Sequence, residues 1–148
     1  MDASGRKLVV LFGDSHTEGG FSRGGWVSLF SDSCVRRAHV HNFGLGGYNT
    51  QWALPLLDKI CPKGDGHPCP DLVTVFFGGN DAVLPNLGEA SVPHVPLRIY
   101  QNNLKRMLEH FTSLRTASGV RPAVVVYPKL ASMEKLQRQL LLAVVAVS

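Results

Sequence analysis

Three short stretches of the 148-residue chain carry groups that could act on a carbonyl carbon: Gly13-Asp14-Ser15, Asn42-Phe43-Gly44-Leu45-Gly46-Gly47 and Gly78-Gly79-Asn80-Asp81. The first offers a serine hydroxyl. The second offers a glycine-rich backbone that a ligand can approach closely. The third offers an asparagine amide. Attack on an acyl carbon needs these parts, a hydroxyl to form the new bond and N–H donors to hold the oxyanion. Each stretch alone has a plainer reading. Asp and Ser are good helix N-caps, and Asn80 alone reads as a turn residue. The glycines Gly44, Gly46 and Gly47 could serve a phosphate-binding turn, but they do not complete G-x-G-x-x-G at the first strand. The specificity lies in the three stretches occurring together, in this order.

The elements that must position them alternate between strand and helix. Residues 8–12 form a short continuous apolar run, as expected of a buried parallel strand. Trp26, Leu29, Phe30, Ser33 and Cys34 recur at helical spacing, and residues 39–42 follow as a second strand, placed mostly by order. Trp52, Leu56, Leu57 and Ile60 make the next helical stripe, with Pro55 inside it to kink the helix or shift its start. Residues 72–77 are β-branched and aromatic and read as a strand. A loop rich in Gly, Pro and Asn spans 78–96, and Tyr100, Leu104, Met107, Leu108, Phe111 and Leu114 then give the clearest amphipathic helix. Residues 123–127 form a fourth strand before Pro128, and 133–147 suggest a last helix that is apolar all round from 140. Four alternations argue for one α/β domain, residues 1–148, with a parallel sheet covered on both faces. Right-handed crossovers bring the carboxyl ends of all the strands to one rim, where such folds place their chemistry. All three stretches lie at that rim.

Composition narrows the class. Apolar residues make up 45% and charged residues 18%, as in ordinary globular proteins. The net charge of +4 is scattered, so no nucleic-acid track is expected. The polar start and the absence of a long apolar run imply no signal peptide and no membrane span. The odd number of cysteines, Cys34, Cys61 and Cys69, suggests free thiols and a cytoplasmic location. Cys61, His67 and Cys69 match no zinc spacing, so they read as a surface loop and no metal or other cofactor is expected.

The chain resembles the SGNH hydrolases, or GDSL esterase/lipase family, especially the isoamyl acetate-hydrolysing esterase branch with its plant members. The resemblance rests on Leu11-Phe12-Gly13-Asp14-Ser15, on Gly44-Leu45-Gly46-Gly47-Tyr48-Asn49-Thr50-Gln51-Trp52-Ala53, and on Val75-Phe76-Phe77-Gly78-Gly79-Asn80-Asp81. His94-Val95-Pro96-Leu97 and the stretch 100–104 continue it, so that it covers roughly residues 8–128, with 129–148 a divergent tail. It implies a three-layer, doubly wound, flavodoxin-like sheet of order 2-1-3-4-5, here without its last strand. It implies a hydrolase of small acyl or lipid-derived esters, with Ser15 as nucleophile. The oxyanion donors would be the Ser15 N–H, the Gly47 N–H and the Asn80 amide. Gly44 would be a motif glycine and not a donor, and Gly13, Asp14, Asp81 and His94 would support the site.

The family's fourth block, an Asp-x-x-His carrying the general base, has no counterpart, since no Asp follows Asp81 and the last His is His110. The general base is therefore unassigned. His16 adjoins Ser15 on a tight turn, so its ring is not expected to reach the hydroxyl in line. His94 is expected to line the site, His39 and His41 to pack or face solvent, and His110 to lie on the polar side of its helix. The chain then reads as truncated and a very poor esterase on its own, with residues 140–147 expected to fold over the exposed sheet face. The alternatives are a form that binds esters without turning them over, and a nucleotide-binding α/β domain, which leaves Ser15 and Asn80 without a role.

Overall fold

The computed structural model describes residues 5–64, 66–83, 93–116 and 119–126. Strand β1, Lys7–Gly13, contains the first apolar run and lies inside the sheet. Helix α1, Ser15–Glu18, begins two residues after it and passes into a 3₁₀ turn at Gly19–Phe21. Helix α2, Trp26–Ser33, leads to β2, Ala38–Gly44. Helices α3, Thr50–Ala53, and α4, Leu57–Ile60, flank a 3₁₀ turn at Leu54–Leu56. That turn holds Pro55, which has no N–H to continue the α-helical ladder. Strand β3, Leu72–Phe76, helix α5, Leu97–Ser113, and strand β4, Ala123–Val126, complete the described elements.

All strand pairs are parallel and the order is β2-β1-β3-β4, the expected order of the first four strands. The fold is a doubly wound α/β sheet. Alternation along β1 divides its side chains between two cores. Val9 and Leu11 pack with Trp26, Val27, Phe30 and Cys34 on the α2 face. Val10 and Phe12 pack with Val73, Val75, Met107 and Phe111 on the α5 face. Phe12 meets Phe77 and Phe111 edge-on at 4.8 and 5.9 Å, pairs worth roughly 0.5–1.5 kcal/mol each beyond burial.

The helical stripes differ from expectation at single positions. Leu29, Trp52 and Leu108 are exposed rather than core residues. His110 is buried, not on a polar face, because its Nε2 bonds the Cys61 carbonyl at 2.9 Å and Asp58 lies at its other ring nitrogen. The tail helix at 133–147 and the proposed cover at 140–147 lie outside the described residues.

Candidate active site

The β1–α1 junction turns so tightly that Gly13 has no room for a side chain. A Cβ there would overlap Thr17 and stand 2.7 Å from the Phe76 carbonyl. The Asp14 N–H donates to that carbonyl at 3.1 Å, tying the junction to the end of β3. Asp14 is also the N-cap of α1, so the capping reading holds for Asp14. Its carboxylate accepts the His16 N–H at 2.9 Å, and its carbonyl accepts those of Thr17 and Glu18 at 3.0 Å. The Ser15 N–H is the first-turn donor left without a protein acceptor among the described residues. Asp14 is buried, whereas Ser15 is exposed at the rim.

The loop after β2 lies directly against this junction. Leu45 N–H donates to the Gly13 carbonyl at 2.8 Å. The Asn42 side chain bridges the two segments, donating to the Thr17 carbonyl and accepting the Gly44 N–H, both at 2.8 Å. The Gly44 donor is therefore already paired. Leu45 to Tyr48 form a turn closed at 3.1 Å, with Gly47 at its third position and φ of +76°, a conformation that favours glycine. The Gly47 N–H has no backbone acceptor among the described residues.

The loop after β3 supplies the third group. Gly78 has φ of +133°, and a Cβ there would meet the Tyr100 hydroxyl at 2.9 Å. Tyr100 donates to the Phe77 carbonyl at 3.0 Å. Burial raises the Tyr100 pKa, and the nearby Asp81 and Asp14 charges raise it further. Asn80 donates one amide hydrogen to the Tyr48 carbonyl at 2.7 Å, which places its side chain beside the Gly47 turn. Its second amide hydrogen has no protein acceptor among the described residues.

Asp81 is buried and holds the two loops together. It accepts the Thr50 N–H at 3.0 and 3.1 Å and the Thr50 hydroxyl, and Asn103 Nδ2 donates to that hydroxyl at 2.9 Å. The exposed His94 bonds the Val83 carbonyl through Nδ1 at 2.8 Å. No group of three or more His, Cys, Asp or Glu side chains suited to a metal occurs among the described residues.

Residues 11–145 match the GDSL-like Lipase/Acylhydrolase family. The chain belongs to that family. It is 45% identical over 116 residues to the isoamyl acetate-hydrolyzing esterase 1 homolog of Rattus norvegicus, covering 76% of this chain and 46% of the relative. It is 43% identical over 118 residues to the GDSL esterase/lipase WDL1 of Oryza sativa, covering 80% and 45%. The chain thus spans about half the length of the curated relatives it matches. Among solved structures, the Enterococcus faecalis lipase/acylhydrolase superposes with a TM-score of 0.60 at 25% identity, covering 95% of this chain and 68% of that one. A mutant of the acetylxylan esterase Axe2 from Geobacillus stearothermophilus gives 0.62 at 17% identity, covering 99% and 74%.

For this GDSL-family chain, motif reading missed Asn42, Thr50 and Asn103, which bond the loops to one another. Asn42 and Thr50 lie in or beside the quoted stretches, so their positions were visible but not their partners. Asn103 gave one signal, a polar residue one position before Leu104 on the buried face of α5.

Proposed function

We propose that the chain is a carboxylic ester hydrolase that uses Ser15 as its nucleophile. The observation that carries this reading is the Asn80–Tyr48 bond, which sets an amide donor beside the Gly47 turn while Leu45 fastens that turn to Gly13. Three N–H groups without protein acceptors among the described residues, from Ser15, Gly47 and Asn80, then share one rim with an exposed hydroxyl. Ser15 Oγ attacks the ester carbonyl, and the three donors stabilise the oxyanion that forms. Collapse releases the alcohol, and water frees the acyl group from Ser15.

Small acetate-type esters are the proposed substrates, because the name of the 45% identical relative refers to an ester of acetate. Lipid-derived esters are the second choice, suggested by the family's lipase members. The three free thiols favour the cytoplasm as the compartment. No helix among the described residues is long and apolar enough to cross a membrane. The test is hydrolysis of a nitrophenyl acetate by the purified chain and by Ser15→Ala. Turnover that disappears in Ser15→Ala supports the reading, and equal turnover in both refutes it.

A further inference from the structure

Glu18 stands one helical turn beyond Ser15 on α1. Its backbone and its carboxylate both run along the loop after β2. A Cβ on Gly44 would overlap the Glu18 N and Cα. A Cβ on Gly46 would overlap Glu18 Oε2 and stand 3.2 Å from Cδ and 3.5 Å from Oε1. Gly46 is not among the glycines of positive φ, so the space its missing side chain leaves, rather than its backbone angle, is what Glu18 uses. The Glu18 main chain is held there. Its N–H donates to the Asp14 carbonyl at 3.0 Å, and the preceding Thr17 carbonyl accepts the Asn42 amide at 2.8 Å.

Gly46 shares its peptide with the Gly47 N–H, one of the three donors at the rim. A carboxylate thus lies within one residue of the place where the oxyanion forms. Glu18 is exposed, and no hydrogen bond or ion pair engages its carboxylate among the described residues. The local structure does not depend on that charge, since Asp14 caps α1 while Asn42 and the Leu45 N–H fasten the loop. Like charges repel, so Glu18 opposes the oxyanion that the N–H groups stabilise. The sign reverses for a substrate that brings a positive charge. An ammonium group reaching Glu18 is attracted to it and offsets its field at the carbonyl, whereas an anionic ester is repelled.

We propose that Glu18 is a specificity-determining residue that selects acetate esters of ammonium-bearing alcohols over neutral and anionic esters. The proposal rests on the reading of this rim as an ester site. The acyl group of that reading is acetyl, which carries no charge, so the cation belongs to the alcohol.

The test is binding to the 148-residue Ser15→Ala chain, which spares the ester, followed by NMR titration at the Gly46 and Gly47 amides. The probes are acetylcholine and 3,3-dimethylbutyl acetate, which has the same shape with carbon in place of the ammonium nitrogen. Glu18→Gln keeps the side chain's shape and removes its charge. Added to Ser15→Ala, it is expected to weaken acetylcholine about fivefold, as for one exposed ion pair, and to leave the neutral ester unchanged. In Ser15→Ala itself, raising salt from about 50 to 500 mM is expected to weaken acetylcholine and not the neutral ester. That arm does not depend on the folding of the Glu18 variant. Equal effects of Glu18→Gln on both esters, no effect on either, or acetylcholine binding insensitive to salt would overturn the role of Glu18 and leave the ester reading standing. Neither ester shifting the Gly47 amide would overturn the ester reading as well.

Discussion

Thr50→Val should destabilise the chain far more than a surface substitution of the same size. The hydroxyl donates to Asp81 and accepts from Asn103 Nδ2 at 2.9 Å, and all three residues are buried. Valine keeps the volume and the backbone N–H that Asp81 also accepts at 3.0 Å. The loss is therefore one hydrogen bond to a charged group, about 1.5–3 kcal/mol, plus a buried Asn103 amide left without its acceptor, about 1–3 kcal/mol. Together this predicts about 2.5–6 kcal/mol, a large part of the 5–15 kcal/mol typical of a domain. Urea unfolding measures it as a lower midpoint at unchanged slope. Asn103→Leu added to Thr50→Val should recover part of the loss, because removing both partners leaves no orphaned amide. A cost for Thr50→Val below about 1 kcal/mol, within the range of a surface change, would refute the view that this network holds the two loops together.

We predict that Asn80→Ala lowers turnover of a nitrophenyl acetate about 10²- to 10³-fold with little change in KM, read from steady-state kinetics. Gly78→Ala should lower the melting temperature, because φ of +133° and the Tyr100 hydroxyl 2.9 Å from the new Cβ both oppose it. Adding Tyr100→Phe should relieve only the contact. Burial, with the Cys69 thiolate's charge second, pushes the Cys61 thiol up to about 12, and burial also raises Cys34. Burial, with the Asp71 charge second, raises Cys69 as well, so the order follows from access, and iodoacetamide should modify the partly exposed Cys69 before the buried Cys34 and Cys61. Peptide mass spectrometry before and after unfolding checks that order.

The parallel sheet with helices on both faces was legible because a parallel sheet buries continuous apolar runs, such as 8–12 and 72–77, whereas the strand order was implied only by the family resemblance. The weak second strand was placed mostly by order, yet β2 pairs with β1 along its whole length. Stripe positions were less legible. Leu29 and Leu108 satisfy helical spacing but face out, because periodicity fixes a face only within about a turn's width. His110 looked polar because a ring nitrogen's partner, here the Cys61 carbonyl, comes from a distant segment. The candidate site was legible as three motifs, since each must turn tightly at a strand end. The bonds that join the motifs were not, because Asn42–Thr17, Thr50–Asp81 and Asn103–Thr50 form only once the crossovers have folded. The Asp14–His16 bond is local, but sequence does not say which way an exposed ring turns.

The central claim is that Ser15 becomes acylated. Brief reaction of the 148-residue chain with an activated acetate ester, acid quenching and peptide mass spectrometry test it directly. The account predicts one added acetyl group on Ser15, absent when the ester is omitted and absent in Ser15→Ala. Hydrolysis of the ester with no acetyl on Ser15, at any quench time, and undiminished in Ser15→Ala, would contradict it.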